Sequence, residues 1–599
     1  GAVVHSGAEV GAPAVAGVAA TPESAAASVP AAVPYSTTND QEAGVDEPDL
    51  AKTDGRLLVA IRHQPPGVEV ASVASEGQGG PRLDSFLPLQ SADELFLTGS
   101  YVVVLGYASG TPQPETTVTV VSVADPNRPV VVRSFMLPGE EAAARLIAGR
   151  VVVVVSSQPE LPFVYPAGAG QAAVATASRT NRRLVERSSL AEWIPQVRSW
   201  PSGTAWPVDC SAILHPDAAA GLGTVSVVSI DPSSDQPGSQ LTIVGDPSAV
   251  YASTTSLYVA TTSWPAQPYG EGAATTDVHE FDLSDPAAPR YVGSGSVPGS
   301  LIGQYAMSEY DGDLRVATTV GSATPPPGEG TAPAQLSDNR VTVLAPRGGA
   351  LVTIGSLGGL GDGERIYGVR FDGPLGYVVT FEQTDPLYVV DLSDPAHPAL
   401  EASLPLTGFS SFLQLLNPTW LLGVGQGVDS ELRQTGLQLE VFDVADPARP
   451  SLASTVSLPG ASSPAENDPH ALLWWPADSL VAMPVDSPAG PSVYVWRLGS
   501  GGRLEQVATI SQPATPPSCP CASGEPPCPC VSAGGASCSC AAIASPAGVA
   551  PAVAVGPYYG AAERILVVGD ALYTVSDAGI MATDMTNWRE AAWLAYSGG

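Results

Sequence analysis

The chain has 599 residues, of which 44% are hydrophobic and 14% charged, and its formal net charge is −34. This composition provides enough apolar residues for a large core and excludes a disordered chain. A negative charge of this size repels phosphate backbones and anionic lipid surfaces, so we expect no nucleic-acid partner. No apolar run reaches the roughly 18–20 residues of a membrane-spanning helix, so we expect a chain that does not span a membrane.

Residues 1–34 are mostly Ala, Val, Gly, Pro and Ser and show almost no periodicity, which predicts a flexible leader or spacer. From residue 45 onward one unit recurs. Two β-rich runs joined by a turn are followed by a segment ending in Asp, a turn containing Pro, and a last strand. Runs such as residues 150–155 and 376–380 are short and rich in β-branched side chains, which is typical of strands.

Four copies of an Asp-Pro turn show the repeat most clearly. In each, an Asp is followed by Pro, and a second Pro stands three residues further on. The Asp side chain can accept backbone N–H groups in the turn, while Pro fixes φ, so a structural role accounts for these Asp residues. The copies are residues 121–129, 281–289, 390–398 and 442–450.

The repeat predicts an all-β chain folded as a single large β-propeller over residues 35–599. Hairpin pairs give about nine candidate units, whereas propellers typically have about 4–8 blades. We therefore expect eight blades, within a range of seven to nine, with the first and last units sharing one blade. This closure would remove an exposed sheet edge, and it assigns the ring-closing strands to residues 561–599.

Two insertions interrupt the repeat and are candidates for functional decoration, because long loops on a rigid scaffold often carry function. The first, residues 176–205, has apolar residues at partly helical spacing among arginines. This pattern predicts one short helix packed on the ring. The second, residues 513–557, is a Cys-rich Pro/Gly loop before the last unit.

The stretch YSTTNDQEAGVDEPDLAKTDG, residues 35–55, resembles the opening of a family of secreted bacterial and archaeal β-propeller domain proteins. The resemblance covers residues 35–512 and 561–590. It implies an exported propeller in a family whose biochemical role is unassigned. This chain departs from the family in its Cys-Pro insertion and in having a single lysine, Lys52. Other matching stretches are residues 144–149, 308–319, 364–371 and 376–391.

A candidate calcium site lies within this stretch, near the presumed start of the ring. Asp46, Glu47 and Asp49, with Asp54 close behind, offer the oxygen ligands that Ca²⁺ prefers, although they lack the EF-hand pattern. The alternative is that Asp46 and Asp49 cap turns and pair with arginines from neighbouring blades. Asp311 and Asp313 have the same two interpretations, and no other cofactor is expected.

Six of the seven cysteines form three C-x-C pairs in the second insertion. In an exported chain they predict three disulfides, and sequence cannot choose the connectivity. The alternative is a thiolate site for a soft ion such as Cu(I). Cys210 is left over, and we expect it to be buried and inert rather than bridged. The paired residues are Cys519, Cys521, Cys528, Cys530, Cys538 and Cys540.

No catalytic residue is predicted, because the six histidines have unrelated contexts and neither G-x-S-x-G nor H-E-x-x-H occurs. His397 and His470 are interpreted as structural. The leading hypothesis is a secreted or cell-surface, non-enzymatic module that binds an extracellular protein or glycan. One alternative is an enzyme with an acidic site in the central channel, with or without Ca²⁺, which predicts carboxyl pairs with perturbed pKa values. The other is a metal-binding protein acting through the C-x-C pairs.

Overall fold

The chain folds as a ring of four-stranded antiparallel sheets. The computed structural model describes residues 33–73, 80–108, 114–168, 170–200, 202–206, 212–215, 221–264, 274–321, 337–381, 385–406, 408–431, 433–513 and 560–596. Within these residues the strands form nine four-stranded units, here called blades 1 to 9 in chain order. In each blade the four strands lie side by side in sequence order, as in an up-and-down meander.

The blades share one plan, and their strand bounds are as follows. Blades 1 to 3 are β1 (Ala51–Thr53), β2 (Leu57–His63), β3 (Pro66–Ser72) and β4 (Arg82–Pro88); β5 (Glu94–Thr98), β6 (Tyr101–Tyr107), β7 (Glu115–Ser122) and β8 (Val130–Pro138); and β9 (Glu140–Ile147), β10 (Arg150–Ser157), β14 (Thr224–Ile230) and β15 (Gln240–Val244). Blades 4 to 6 are β16 (Ala249–Ala252), β17 (Ser256–Ser263), β18 (Thr275–Asp282) and β19 (Arg290–Pro298); β20 (Met307–Tyr310), β21 (Asp313–Val320), β22 (Asp338–Arg347) and β23 (Ala350–Leu357); and β24 (Arg365–Asp372), β25 (Leu375–Phe381), β26 (Asp385–Asp391) and β27 (Ala399–Leu406). Blades 7 to 9 are β28 (Phe409–Leu415), β29 (Trp420–Val428), β30 (Gln434–Asp443) and β31 (Ser451–Pro459); β32 (Leu473–Trp475), β33 (Leu480–Ser487), β34 (Gly490–Leu498) and β35 (Leu504–Ile510); and β36 (Arg564–Val568), β37 (Ala571–Ser576), β38 (Gly579–Asp584) and β39 (Arg589–Ala595).

The connection between β10 and β14 holds the first insertion. Its elements are α1 (Gln171–Arg187), β11 (Val197–Trp200), β12 (Ala205–Trp206) and β13 (Ile213–Leu214). The helix thus begins before the predicted segment and is longer than the short helix expected there. Strands β11 and β12 extend blade 2, and β13 pairs with β15 of blade 3. None of the helices in the described part of the chain is both long and apolar enough to cross a membrane.

Cores between neighbouring blades hold the ring together. Residues 151–155 show why the strands are continuous apolar runs, as all five side chains are buried. Val151, Val153 and Val155 pack in the core shared with blade 2, whereas Val152 and Val154 pack in the core shared with blade 4. Successive residues of a strand face opposite sides, so a strand between two neighbours must be apolar on both.

The ring is closed by packing of the last blade on the first. Leu566 and Tyr573 of blade 9 share a buried core with Ala51, Leu58 and Ala71 of blade 1. The nine four-stranded units of the described residues lie within the expected range of seven to nine, but they exceed the favoured count of eight, because each end of the chain supplies a blade instead of sharing one. Each end of the chain has enough alternating apolar positions to supply four strands of its own, so closure needs no shared sheet.

The predicted Asp-Pro turns join the third and fourth strands of blades 2, 4, 6 and 7. Asp125 Oδ1 accepts a hydrogen bond from Asn127 N (3.1 Å), and Asp285 Oδ1 accepts one from Ala287 N (3.1 Å). The other two turns have the same bond. This confirms the structural role predicted for these Asp residues.

The ring has two different faces. At one of them, here called the loop face, the first strand of every blade begins and the second strand ends. Because the strands alternate in direction, the connections between blades and the β10–β14 insertion also start and finish there. At the opposite face the turns are mostly short. The long connections therefore collect on the loop face, where ligand sites on rigid scaffolds are usually built.

Candidate functional site

Residues 35–50, here called the channel segment, cross the centre of the ring. Backbone bridges tie Tyr35 to Val568 in blade 9, Asp46 to Leu146 in blade 3, and Asp49 to Leu95 in blade 2. All three partners belong to first strands, which are the innermost strands of their blades. The opening stretch that carries the family resemblance thus fills the channel of its own propeller.

Side chains extend these links to further blades. Gln41 Nε2 donates to the backbone oxygen of Met307 in blade 5 (2.9 Å), and Tyr251 of blade 4 donates its hydroxyl to Glu42 (2.7 Å). Arg370 of blade 6 donates to the backbone oxygen of Gln41 (3.3 Å). The channel segment therefore bonds to six of the nine blades, namely blades 2 to 6 and blade 9.

Glu47 is the centre of a buried layer of polar groups. Its carboxylate lies 3.6 Å from the Arg145 guanidinium and accepts hydrogen bonds from His470 Nε2 (3.1 Å) and Gln304 Nε2 (3.0 Å). Burial alone would raise the pKa of Glu47, but the charge of Arg145 and the hydrogen bond from His470 outweigh it and hold the pKa at about 2. Burial opposes charge on His470, yet its bond to Glu47 raises the pKa of the imidazole.

The other two candidate calcium ligands also have cationic partners. The ammonium of Lys52, the single lysine, contacts the Asp46 carboxylate. Asp49 pairs with Arg564 of blade 9, whose guanidinium also lies 2.7 Å from Asp468. These are ion pairs of the kind that the alternative interpretation proposed.

The structure brings Asp46, Glu47 and Asp49 into one channel segment but turns each toward a different cation. Among the described residues, no group of three or more His, Cys, Asp or Glu side chains is placed to hold a metal ion. Asp54 caps a turn, accepting from Leu57 N (2.7 Å), and Asp311 lies in the turn between β20 and β21. A calcium site here stays a prediction. Cys210 and the six C-x-C cysteines lie outside the described residues.

Sequence reasoning missed two residues of the buried layer. Arg145 lies in the stretch 144–149 that matches the family, and His470 follows an Asp-Pro pair that starts a helical turn, in which Asp468 accepts from His470 N (3.1 Å). The family match was a signal for Arg145. His470 had no such signal, because its partner Glu47 is more than four hundred residues away in the chain.

An acidic chamber of about 730 Å³ opens on the loop face above this layer. Glu94 begins β5 and Glu141 lies at the start of β9, so neighbouring first strands bring the two carboxyl groups together. Burial and the charge of Glu94 raise the pKa of Glu141 well above its usual value, and burial also raises the pKa of Glu94. The two groups share a hydrogen bond, which a carboxylate pair can form only when one of the two carboxyls carries the proton.

A second cavity of the loop face, here called the aromatic cleft, has a volume of about 680 Å³. It spans connections and first strands from blades 4 to 8, and it has both apolar and polar walls. Trp264 is 69% exposed and Ile302 is also exposed, whereas Tyr305 and Phe412 pack edge to face at the base with ring centroids 5.5 Å apart. The cleft therefore offers both an exposed indole and a preformed aromatic base.

Aromatic rings continue along one rim of the cleft. Tyr367 contacts Phe381 and Phe409, with centroid distances of 5.4 Å and 5.1 Å, and these two phenylalanines lie 5.0 Å from each other. Tyr367 stays 37% exposed. Packing against the two phenylalanines restrains the orientation of the Tyr367 ring, and this ring lines the cleft.

Polar side chains complete the cleft. Arg365 and Asn467 are exposed at its edge. Glu466 is held in place because it accepts from Gln426 Nε2 (2.6 Å) and from the backbone of Ser463 (2.8 Å). A guanidinium, an amide and a carboxylate thus surround the aromatic surface, which is the mixture typical of small-molecule sites.

The nine meander blades and the closed ring define a β-propeller with a filled channel. A family model for the β-propeller domain matches residues 35–523, and the chain belongs to this family. It is 34% identical over 212 residues to an uncharacterized protein of Archaeoglobus fulgidus, and 36% identical over 183 residues to one of Methanocaldococcus jannaschii. These matches cover 35% and 31% of this chain but only 30% and 27% of the relatives, so the chain spans less than a third of their length.

Solved structures with similar folds include a periplasmic gluconolactonase of Pseudomonas aeruginosa. Its sequence is 14% identical, with a TM-score of 0.31 and coverage of 62% of this chain and 91% of that one. Another is a protein of Lactobacillus plantarum, 10% identical with a TM-score of 0.32, covering 61% and 90%.

Proposed function

We propose that this protein is an extracellular, non-enzymatic binding module that holds a glycan in the aromatic cleft. The observation that carries the proposal is the exposure of the Trp264 and Tyr367 rings in a cavity with a polar edge. Isolated exposed apolar residues need no explanation, but two exposed rings facing one cavity are a feature of binding sites.

The chemistry of the cleft fits a carbohydrate. Sugar rings have apolar C–H faces, which stack on Trp264 and Tyr367, and equatorial hydroxyls, which can bond to Arg365, Asn467 and Glu466. The volume of about 680 Å³ lies in the range of roughly 300–1,000 Å³ that suits a small ligand, here a short oligosaccharide. A protein partner would instead need a wider surface of about 800 Å² on each side.

The filled channel supports a site away from the axis. The enzyme alternative predicted carboxylates that converge in the channel. These carboxylates form ion pairs within the protein, such as Glu47 with Arg145. Glu47 and Arg145 also line the acidic chamber, so a ligand there would meet charged groups that are already paired. The aromatic cleft offers exposed rings instead.

The proposal includes export from the cell, which rests on the sequence. Six cysteines between residues 519 and 540 suit an oxidising compartment. Intact mass spectrometry with and without reduction and alkylation, together with elemental analysis, tests this part. Oxidised cysteines without metal are expected, whereas reduced cysteines with bound copper would overturn it in favour of the metal-binding alternative.

Binding is tested by applying the intact protein to an array of neutral and acidic oligosaccharides, followed by calorimetry with any glycan retained. The variants Trp264→Ala and Tyr367→Ala remove stacking surface and should weaken binding at least about tenfold, equivalent to about 1.4 kcal/mol. Tyr310→Ala is the matched control, because Tyr310 is 41% exposed at the opposite face. No retained glycan, or equal losses in all three variants, would contradict the proposal.

A second candidate function is hydrolysis in the acidic chamber. The specific observation is the Glu94–Glu141 pair, because a carboxyl whose pKa is raised by burial and by a second carboxyl is a candidate general acid. A panel of chromogenic glycosides and esters tests it. Turnover that is lost in both Glu94→Gln and Glu141→Gln but retained in Glu140→Gln would establish this function, and absence of turnover would remove it.

A further inference from the structure

Helix α1 carries a basic surface on an acidic protein. Four exposed arginines lie within residues 179–187, whereas the whole chain has 25 Lys and Arg residues and a net charge of −34. None of the four forms an ion pair within the part of the chain that the structure describes. The residues are Arg179, Arg182, Arg183 and Arg187.

The helix bonds to the segment that precedes it. Ala177 is its one buried residue, and Asn181 bonds to the backbone nitrogen and oxygen of Val164 (2.8 and 2.9 Å). Successive helix residues are rotated by about 100°, so Arg179, Arg182 and Arg183 project away from Ala177, whereas Arg187 lies on one flank. Val174 and Val185 lie on the other flank and are exposed.

Further exposed apolar side chains belong to the same insertion as the helix. Tyr165, next to Val164, is 84% exposed, and Leu190 and Trp200 of the same insertion are also exposed. An exposed basic face bordered by aliphatic and aromatic side chains is the arrangement of peripheral membrane-binding elements. Tyr and Trp suit the boundary between headgroups and acyl chains.

We propose that α1 docks the propeller on an anionic phospholipid surface. The arginines would bind lipid phosphates, while Val174, Val185 and Tyr165 enter the headgroup boundary. The net charge disfavours such surfaces for the chain as a whole, but screening limits this repulsion to about 8–10 Å at ordinary ionic strength. A basic helix in a connection of the loop face can therefore act locally.

Co-sedimentation of the full chain with vesicles tests the proposal. We expect binding to phosphatidylcholine vesicles that contain about one third phosphatidylglycerol, and weak binding to pure phosphatidylcholine. The combined variant Arg179→Gln, Arg182→Gln, Arg183→Gln and Arg187→Gln should lower partitioning by about a thousandfold, because four arginines act together. Added salt should weaken binding of the native chain in the same direction.

A matched control has the same change in net charge at other exposed sites. It replaces four arginines that pair with acidic residues on outer turns and strands: Arg56, Arg290, Arg433 and Arg449. This control should bind vesicles almost as well as the native chain. Both variants should unfold like the native protein, since all eight side chains are exposed, and both should keep any glycan binding by the cleft.

Three results would overturn the proposal. One is failure of the native chain to bind the anionic vesicles. The second is equal loss in the two variants, which would reflect net charge alone. The third is self-association of the native chain that disappears in the α1 variant without any vesicle binding, which would assign this face to an acidic protein surface on a second copy.

Discussion

The substitution Glu47→Gln examines the buried layer that anchors the channel segment. It keeps the size of the side chain but removes the charge opposite Arg145 and His470. Breaking a buried ion pair by removing one partner typically costs about 3–5 kcal/mol. The pKa gives a similar value: a decrease from 4.5 to about 2 corresponds to about 3 kcal/mol of stability at neutral pH.

The pH dependence follows from the sign of this shift. A carboxyl whose pKa is lowered by folding stabilises the protein above its unfolded pKa of 4.5, and it loses that contribution as the pH falls toward 2. The native chain and Glu47→Gln should therefore differ most in free energy of unfolding above pH 5, and should converge near pH 2. Guanidinium unfolding followed by tryptophan fluorescence at several pH values measures this difference.

Glu440→Gln is the control, because folding raises the pKa of Glu440 whereas it lowers the pKa of Glu47. Glu440 is also buried, but burial raises its pKa to about 7, because the hydrogen bonds with Gln438 and Ser410 do not offset the burial and no ion pair to Glu440 occurs among the described residues. Its ionised form destabilises the fold as the pH rises from 4.5 through 7, so the amide should stabilise the protein at pH 8. The reasoning is refuted if Glu47→Gln costs less than about 1 kcal/mol at pH 7, or if both substitutions act in the same direction.

Three more predictions concern the ring. Deletion of residues 561–599 removes blade 9 and exposes the cores of blades 1 and 8, so the truncated chain should lose its cooperative unfolding transition in circular dichroism. Arg564→Met leaves Asp49 buried without its cation and should cost about 3–5 kcal/mol, whereas Arg589→Met at the exposed start of β39 should be neutral in the same denaturation assay. Gly295→Val places a Cβ 2.1 Å from the backbone oxygen of Leu351, where blades 4 and 5 meet, and should lower stability by about 1–3 kcal/mol or more, measured by thermal unfolding. Unchanged melting of any of these variants would contradict the corresponding contact.

The blade architecture was predictable because its signals are local. β-Branched runs such as residues 151–155 and the Asp-Pro turns act within a few residues, and they predicted the strands and hairpins. The nine candidate units were also counted from sequence. The favoured count of eight rested on the assumption that the two ends of the chain share one sheet. In the structure the first and last blades instead pack face to face, with Leu566 and Ala51 in one core, and the sequence pattern carries no sign of such a contact.

The channel segment was not predictable from composition or periodicity. Its contacts join residues that are hundreds of positions apart, such as Tyr35 with Val568, and its acidic residues have the same appearance as calcium ligands. Arg145 pairs with Glu47 and Arg564 pairs with Asp49. Both arginines lie in strands that the apolar residues alone already identify, so the sequence pattern does not mark the arginines as ion-pair partners. Only the family resemblance marked this stretch as important.

The aromatic cleft was missed for a related reason. Trp264 directly follows β17 of blade 4, whereas Tyr367 and Phe412 lie in the first strands of blades 6 and 7. None of the three stands out in its local sequence. Only the curvature of the ring brings them to one cavity.

Hydrogen–deuterium exchange of the intact chain, with and without the oligosaccharide that the array identifies, tests the central claim most directly. The account predicts slower exchange in the cleft peptides, residues 300–305, 365–369 and 466–469, and no change in the channel segment. Protection confined to residues 93–94 and 140–145 of the acidic chamber, or to the channel segment itself, would contradict a binding site in the aromatic cleft.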